Sequence, residues 1–182
     1  MGSWRKGLKS RADFIFLDAP HIVHFLFFQF EDERCFQVCD VDDETVVAVG
    51  GRPGGRSWWL WEDTQDTARP SKAKKYTEWN PSFSVISEAL EQHSPVDGIL
   101  GFSQGATIIA LFVSEMNQGS IDCNHLPHFA ILAGGFMPRD IQVANTITQG
   151  QPSMPSLHIY GQNDTFVCFD FWFNVNSVLV LG

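Results

Sequence analysis

Residues 101–105 read Gly-Phe-Ser-Gln-Gly, a serine with a glycine two positions away on either side. A serine hydroxyl is a weak nucleophile until geometry and a neighbouring base activate it. The Gly-x-Ser-x-Gly spacing supplies the geometry when it lies between a strand and a helix. The serine then occupies a sharp, strained turn and its hydroxyl projects from the top of the sheet. Glycines on both sides leave room for that turn, since side chains there would meet neighbouring backbone. The following helix aims its N-terminus at the site, so the backbone amide of Gln104 is a candidate donor to a developing oxyanion. The five-residue pattern also arises by chance, and its flanks decide the reading. Asp97-Gly98-Ile99-Leu100 ahead of it reads as a strand end, and an apolar helix follows it. Ser103 is therefore the candidate nucleophile of acyl transfer.

A nucleophilic serine needs a base, and the base needs an orienting acid. In this arrangement the acid comes later in the chain, at the end of another strand. Asp164 stands just past the strand-like run 157–160 and fits that place; the bland alternative is an aspartate fixing its own turn. The histidine should come next, yet none follows Asp164. The six histidines are His21, His24, His93, His125, His128 and His158. His158 reads as a packed histidine within a buried strand, and His93 as a residue closing a helix on the solvent side. His21 and His24 follow the first strand, where either could stand near the top of the sheet and replace the base.

These residues need a scaffold. The apolar run 12–17, stopped by Asp18-Ala19-Pro20, predicts a buried strand of a parallel sheet. Residues 24–56 carry no sustained period. Asn80-Pro81 predicts a helix start, with asparagine as N-cap and proline at the first helical position. Phe83, Ile86, Ala89 and Leu90 then recur at helical spacing, giving an amphipathic helix over 81–93 ended by Ser94-Pro95. A strand over 96–102 leads to the serine. The helix 104–116 is apolar almost all round and should be buried against a sheet. A strand over 129–133 ends at Gly134-Gly135, a polar loop follows, and 157–160 is a further strand. Strands alternating with helices predict an α/β fold with a mainly parallel sheet and helices on both faces.

The remaining features narrow the functional class. At 182 residues the chain fits one domain, and its net charge of −9 disfavours nucleic acid as a partner. Seven acids fall between Glu31 and Glu44 with only Arg34 opposing them, which reads as a solvated acidic loop. Gly50 to Gly55 is a glycine-rich turn without the Lys-Ser/Thr of a phosphate-binding loop. Trp58, Trp59 and Trp61 cluster beside a polar stretch, where they could line a substrate cleft or cover a loop. No run is long enough to span a membrane, for which about 20 apolar residues are needed. The early residues lack the apolar core of a secretory signal. Cysteines 35, 39, 123 and 168 have no metal-ligand spacing, so no metal is expected and reduced thiols are. A cytoplasmic or nuclear location follows from these expectations.

The chain resembles the FSH family of serine hydrolases, which includes the ovarian-cancer-associated hydrolase-like esterases. The resemblance rests on residues 14–21 (Phe-Ile-Phe-Leu-Asp-Ala-Pro-His), on Arg56-Ser57-Trp58-Trp59, on residues 97–106 around the serine, and on residues 157–164. It covers most of residues 11–167 of a single domain spanning 1–182, and 168–182 resembles nothing in the family. It implies a cofactor-free carboxylesterase or thioesterase acting on small-molecule acyl esters. Ser103 would be the nucleophile and Asp164 the triad acid, with Trp58 and Trp59 as candidate substrate-binding residues. Family members begin with a strand leading to a His-Gly turn that supplies a second oxyanion donor, and they end with a Gly-Gly-His segment carrying the base. Neither is present, so the sequence reads as a form truncated at both ends, with greatly reduced activity. The rival expectations are a non-catalytic protein that binds acyl groups or a protein partner through the Trp58-Trp59 region, and a fragment that does not fold stably.

Overall fold

The computed structural model describes residues 12–30, 33–39, 55–62, 73–150, 154–161 and 177–181. Nine strands and three helices are assigned among them. The antiparallel strands β1 (His21–Phe30), β2 (Glu33–Cys39) and β3 (Gly55–Ser57) form a sheet in the order β2-β1-β3. Strands β4 (Leu60–Trp61) and β5 (Tyr76–Thr77) make a short antiparallel pair. The main sheet is wholly parallel, β6 (Gly98–Phe102), β7 (Phe129–Ala133), β8 (Ser156–Gly161) and β9 (Ser177–Leu181), neighbours in that order. Helices α1 (Asn80–Gln92), α2 (Gln104–Asn117) and α3 (Ile141–Gln149) complete the assignment.

Helix α2 is the hub of the core. Residues 106–114 of it are all buried, as expected for a helix with no polar stripe. It packs on β6, β7 and α3, and Phe112 meets Phe83 of α1 with ring centroids 5.8 Å apart. Its two buried hydroxyls are satisfied by backbone. Thr107 Oγ1 donates to the Phe136 carbonyl at 2.9 Å and accepts from the Phe136 N–H at 3.2 Å, while Ser114 Oγ donates to the Ile147 carbonyl. Strands β6 and β7 are read by alternation: Gly101, Ala130 and Leu132 are buried, whereas Leu100, Phe102 and Phe129 on the other pleat are exposed. The Phe129 ring lies over Gly98, where a Cβ would stand only 2.3 Å from it.

Several expectations give way. The run 12–17 joins no ladder, and Phe14, Ile15 and Phe16 are exposed. An apolar run becomes a buried strand only when another segment offers it a ladder and a face, and residues 12–17 are assigned to no strand. The strand begins instead at His21, just after Pro20. The aperiodic region 24–56 yields β1 and β2, and part of the acidic stretch is β2 rather than loop. The pairing runs from His24↔Cys39 to Phe30↔Glu33, so hydrogen bonding between the two segments makes strands that alternation did not announce. The polar loop after Gly135 contains α3, capped by Asp140, whose carboxylate accepts from the N–H groups of Gln142 and Val143. At α1, Asn80 is already helical and Trp79 occupies the cap position without a side-chain hydrogen bond. The chain enters this helix from Glu78, whose φ of 59° turns it one residue early. The tail supplies β9, which extends the main sheet beside β8.

Candidate active site

The candidate nucleophile sits between β6 and α2. Ser103 has φ 54° and ψ −118°, a conformation that costs a non-glycine residue about 1–3 kcal/mol and persists only where its surroundings enforce it. Those surroundings are visible. The Ser103 N–H donates to the Ala133 carbonyl at the end of β7 (2.8 Å), and its own carbonyl accepts from the N–H groups of Ala106 (3.0 Å) and Thr107 (3.2 Å). The side chain does not cap the helix, which leaves the hydroxyl uncommitted to backbone. Gln104 opens the helix, so its N–H has no intrahelical acceptor, and it finds no other among the described residues.

The two glycines of the motif are not equivalent. A Cβ on Gly101 would stand 2.4 Å from the Gly105 carbonyl oxygen and 2.6 Å from the Ala106 nitrogen. Backbone cannot yield there, so glycine is required. A Cβ on Gly105 would meet only the Trp58 indole nitrogen, at 3.6 Å, which is ordinary contact. The expectation that both glycines make room for the turn therefore holds at Gly101 and fails at Gly105.

Beside the turn, residues 57–59 are held by side chains from two helices. Gln104 bridges them: its Oε1 accepts from the Trp58 N–H at 3.1 Å and its Nε2 donates to Ser57 Oγ at 2.8 Å. Ser57 Oγ, almost fully buried, donates in turn to the Trp59 carbonyl at 2.6 Å. Ser82 of α1 donates its hydroxyl to the Trp58 carbonyl. The peptide groups around Trp58 are thus fixed on both sides, and its half-buried indole is carried to the mouth of α2. Trp59 points the other way. It is 2% exposed, stacked on Tyr76 at 5.1 Å and edge-on to Phe136 at 6.1 Å. It is a core residue and does not line a cleft, which corrects its expected substrate role.

The segment before β1 joins the same cluster. Arg56 donates to the Ala19 carbonyl at 3.1 Å, and the β1–β3 register sets His21 opposite Ser57. The His21 Nε2 lies 2.6 Å from the Glu78 carbonyl; a carbonyl only accepts, so Nε2 carries the proton. His21 is one pairing step from the Ser57–Gln104 bridge, and it ties β1 to the entry of α1. His158 is buried and faces Ser156 Oγ at 3.1 Å. Burial lowers its pKa to about 4, because the charged imidazolium would lose its hydration. It behaves as the packed strand histidine its sequence suggests. His93, His125 and His128 are exposed. Asp164, Cys168 and the His24 side chain lie outside the described residues. Ser57, Ser82 and the Gln104 side chain were missed by sequence reasoning, since nothing in their spacing marks a contact made only by folding. Among the described residues no group of three or more His, Cys, Asp or Glu is placed to hold a metal, and no helix is long and apolar enough to cross a membrane.

A parallel sheet whose first strand delivers a serine, in a strained turn, to the N-terminus of a buried helix defines a serine hydrolase of the α/β-hydrolase kind. Comparison with known proteins agrees: the chain belongs to the family described as serine hydrolase (FSH1), which it matches over residues 1–170. It is similar to Esterase OVCA2 of Bos taurus, 33% identical over 176 residues, covering 90% of this chain and 67% of the bovine protein. Esterase OVCA2 of Homo sapiens is 32% identical, covering 91% and 69%. Esterase CG5412 of Drosophila melanogaster is 29% identical, covering 92% of this chain and 52% of its own length.

Proposed function

We propose that the chain is an esterase of the carboxylesterase or thioesterase type, acting on small-molecule acyl esters in the cytoplasm through Ser103. The Ser103 oxygen adds to the acyl carbonyl carbon, the alcohol or thiol leaves, and water then cleaves the acyl-Ser103 ester. The Gln104 N–H receives the carbonyl oxygen as it gains charge, and Asp164 is the acid that orients the base. One observation carries this reading: Ser103, at the strand-to-helix turn of the elbow, is held at positive φ, a strain that hydrogen bonds to the backbone of β7 and α2 maintain and that is often stored at active sites.

As this chain stands, no histidine follows Asp164 in the sequence, and the reading includes greatly reduced turnover. Removing such a base costs on the order of 10⁶-fold in kcat in the protease precedent. The absent histidine is also what favours a second reading, a non-catalytic acyl-binding or protein-interaction protein derived from a hydrolase.

Labelling of the purified chain with a fluorophosphonate, compared with Ser103→Ala, tests the first reading. Covalent labelling that requires Ser103, slow for want of the base, is the expected result. A folded sample that stays unlabelled, yet binds acyl ligands saturably with or without Ser103, would replace it with the second.

A further inference from the structure

We propose that β9 is a self-association edge: two copies of this chain pair antiparallel along Ser177–Leu181, about a two-fold axis at Leu179, to form a dimer. The proposal is independent of the esterase reading.

The strand order puts β9 last in the parallel sheet, with β8 on one side and, among the described residues, no strand on the other. The backbone groups that β9 does not give to β8 are left for water or for another chain, which makes such an edge a template for pairing. Natural edges are commonly blunted by lysine, proline, a bulge or extreme shortness. Residues 177–181 read Ser-Val-Leu-Val-Leu, with neither proline nor charge, and no Asp, Glu, Lys, Arg or His occurs from 171 to 182.

Two features select a second copy over a different partner. The first is charge. Each chain carries −9, so two copies repel as wholes and approach best along an edge where that charge is absent. The same uncharged edge gives a basic or acidic partner nothing to pair with. The second is symmetry in the sequence, because Val178-Leu179-Val180 reads the same in both directions. Antiparallel pairing about Leu179 therefore sets Val178 opposite the partner's Val180 and Leu179 opposite its own counterpart. Aliphatic and β-branched residues facing one another across strands are favourable pairs. A two-fold contact of this kind uses one edge on both copies and closes at two.

The two four-stranded sheets would join into one of eight strands. The strands of one copy run against those of the other, so the two Ser103 turns lie at opposite ends of the joined sheet. Strand β6, at the far side of the sheet, is the rival edge. Two of its five residues are glycines, which offer a neighbouring strand no side chain to pack on.

The experiment is sedimentation equilibrium of the full chain between about 1 and about 100 μM, the range of weak association. Hydrogen exchange at residues 177–181 is followed on the same samples. The expected result is monomer passing to dimer, with exchange at 177–181 slowing as the dimer fills. Added salt should tighten the dimer, since screening removes repulsion between two acidic copies. Leu179→Lys and Leu179→Glu each place like charges opposite one another and should weaken self-association about ten-fold. Mixing the two variants should restore a dimer, because the opposed charges then differ in sign. The exchange measurement on the unaltered chain decides the matter where a charged residue at 179 prevents folding. A chain that stays monomeric overturns the proposal. So does a dimer that leaves exchange at 177–181 unchanged or survives Leu179→Lys undiminished, and so do species that grow beyond two copies.

Discussion

The side chain of Gln104 spans from the N–H of Trp58 to the hydroxyl of Ser57, at 3.1 Å and 2.8 Å. It thereby joins the first turn of the helix behind the nucleophile to a corner 46 and 47 residues earlier in the chain. The backbone amide of this residue faces the reacting oxygen in the proposed mechanism while its side chain fixes the wall of the site. Replacing it by alanine strands the Trp58 N–H and removes the donor to Ser57. Each lost partner in a partly buried setting costs about 1–3 kcal/mol. Gln104→Ala should lower the thermal midpoint measurably and speed hydrogen exchange at the Trp58 amide. Gln104→Glu should keep the Trp58 bond and lose the one to Ser57, whose proton is already given to Trp59. An unchanged Trp58 exchange rate in the alanine variant would contradict the clamp.

The two motif glycines should separate under the same substitution. At Gly101 a methyl group would press on the backbone of Gly105 and Ala106, so Gly101→Ala must open the turn, at a cost of about 3 kcal/mol or more on the overpacking scale. At Gly105 a methyl group meets only the Trp58 ring at contact distance, and a helix gains about 1 kcal/mol when alanine replaces glycine. Chemical denaturation of both variants checks this: Gly101→Ala unfolds well before wild type, Gly105→Ala at or after it.

Asp140 is a buried carboxylate used twice. One oxygen caps α3, accepting from the N–H groups of Gln142 (3.0 Å) and Val143 (3.4 Å), and the other accepts from the Tyr76 N–H at 2.8 Å. Asp140→Ala leaves three backbone donors without it and should cost about 2–4 kcal/mol, from a lost cap and a lost charge-assisted bond. Asp140→Asn has a single acceptor oxygen, so it should recover only one of the two connections. Denaturant midpoints falling in the order wild type, asparagine, alanine are the expected outcome.

His158 makes stability depend on pH. Its folded pKa of about 4 lies below the ordinary value of 6.5 because burial disfavours the charged ring. Between those values the unfolded chain binds a proton that the native chain does not, so stability falls as pH falls. The contribution is fully present above pH 6.5 and lost progressively toward pH 4, about 3 kcal/mol in all. Unfolding free energies measured from pH 7 to pH 4 should therefore decline less steeply in His158→Gln than in wild type. Parallel profiles would show that this histidine is not the group responsible.

The sequence by itself determined the elements whose signals are local. The strand ahead of Ser103, the elbow, and the all-round apolar helix α2 each carry their own pattern in consecutive residues. So does the amphipathic face of α1 at Phe83, Ile86 and Leu90, all buried as the spacing predicts. The strand placement of His158 was legible for the same reason. Tertiary structure decided everything that needs two distant segments. Residues 14–16 look like a buried strand and lie exposed outside any assigned strand, whereas the unpatterned region after Val23 became β1 and β2, whose two segments pair with each other. Adjacent tryptophans of identical chemistry were divided, Trp59 into the core against Tyr76 and Phe136, and Trp58 to the helix mouth. That division is set by Ser57, Ser82 and Gln104, whose hydrogen bonds fix which way the corner turns. Spacing along a chain encodes a helix face or a turn, but which residues meet across 46 others depends on how the packed elements bring them together.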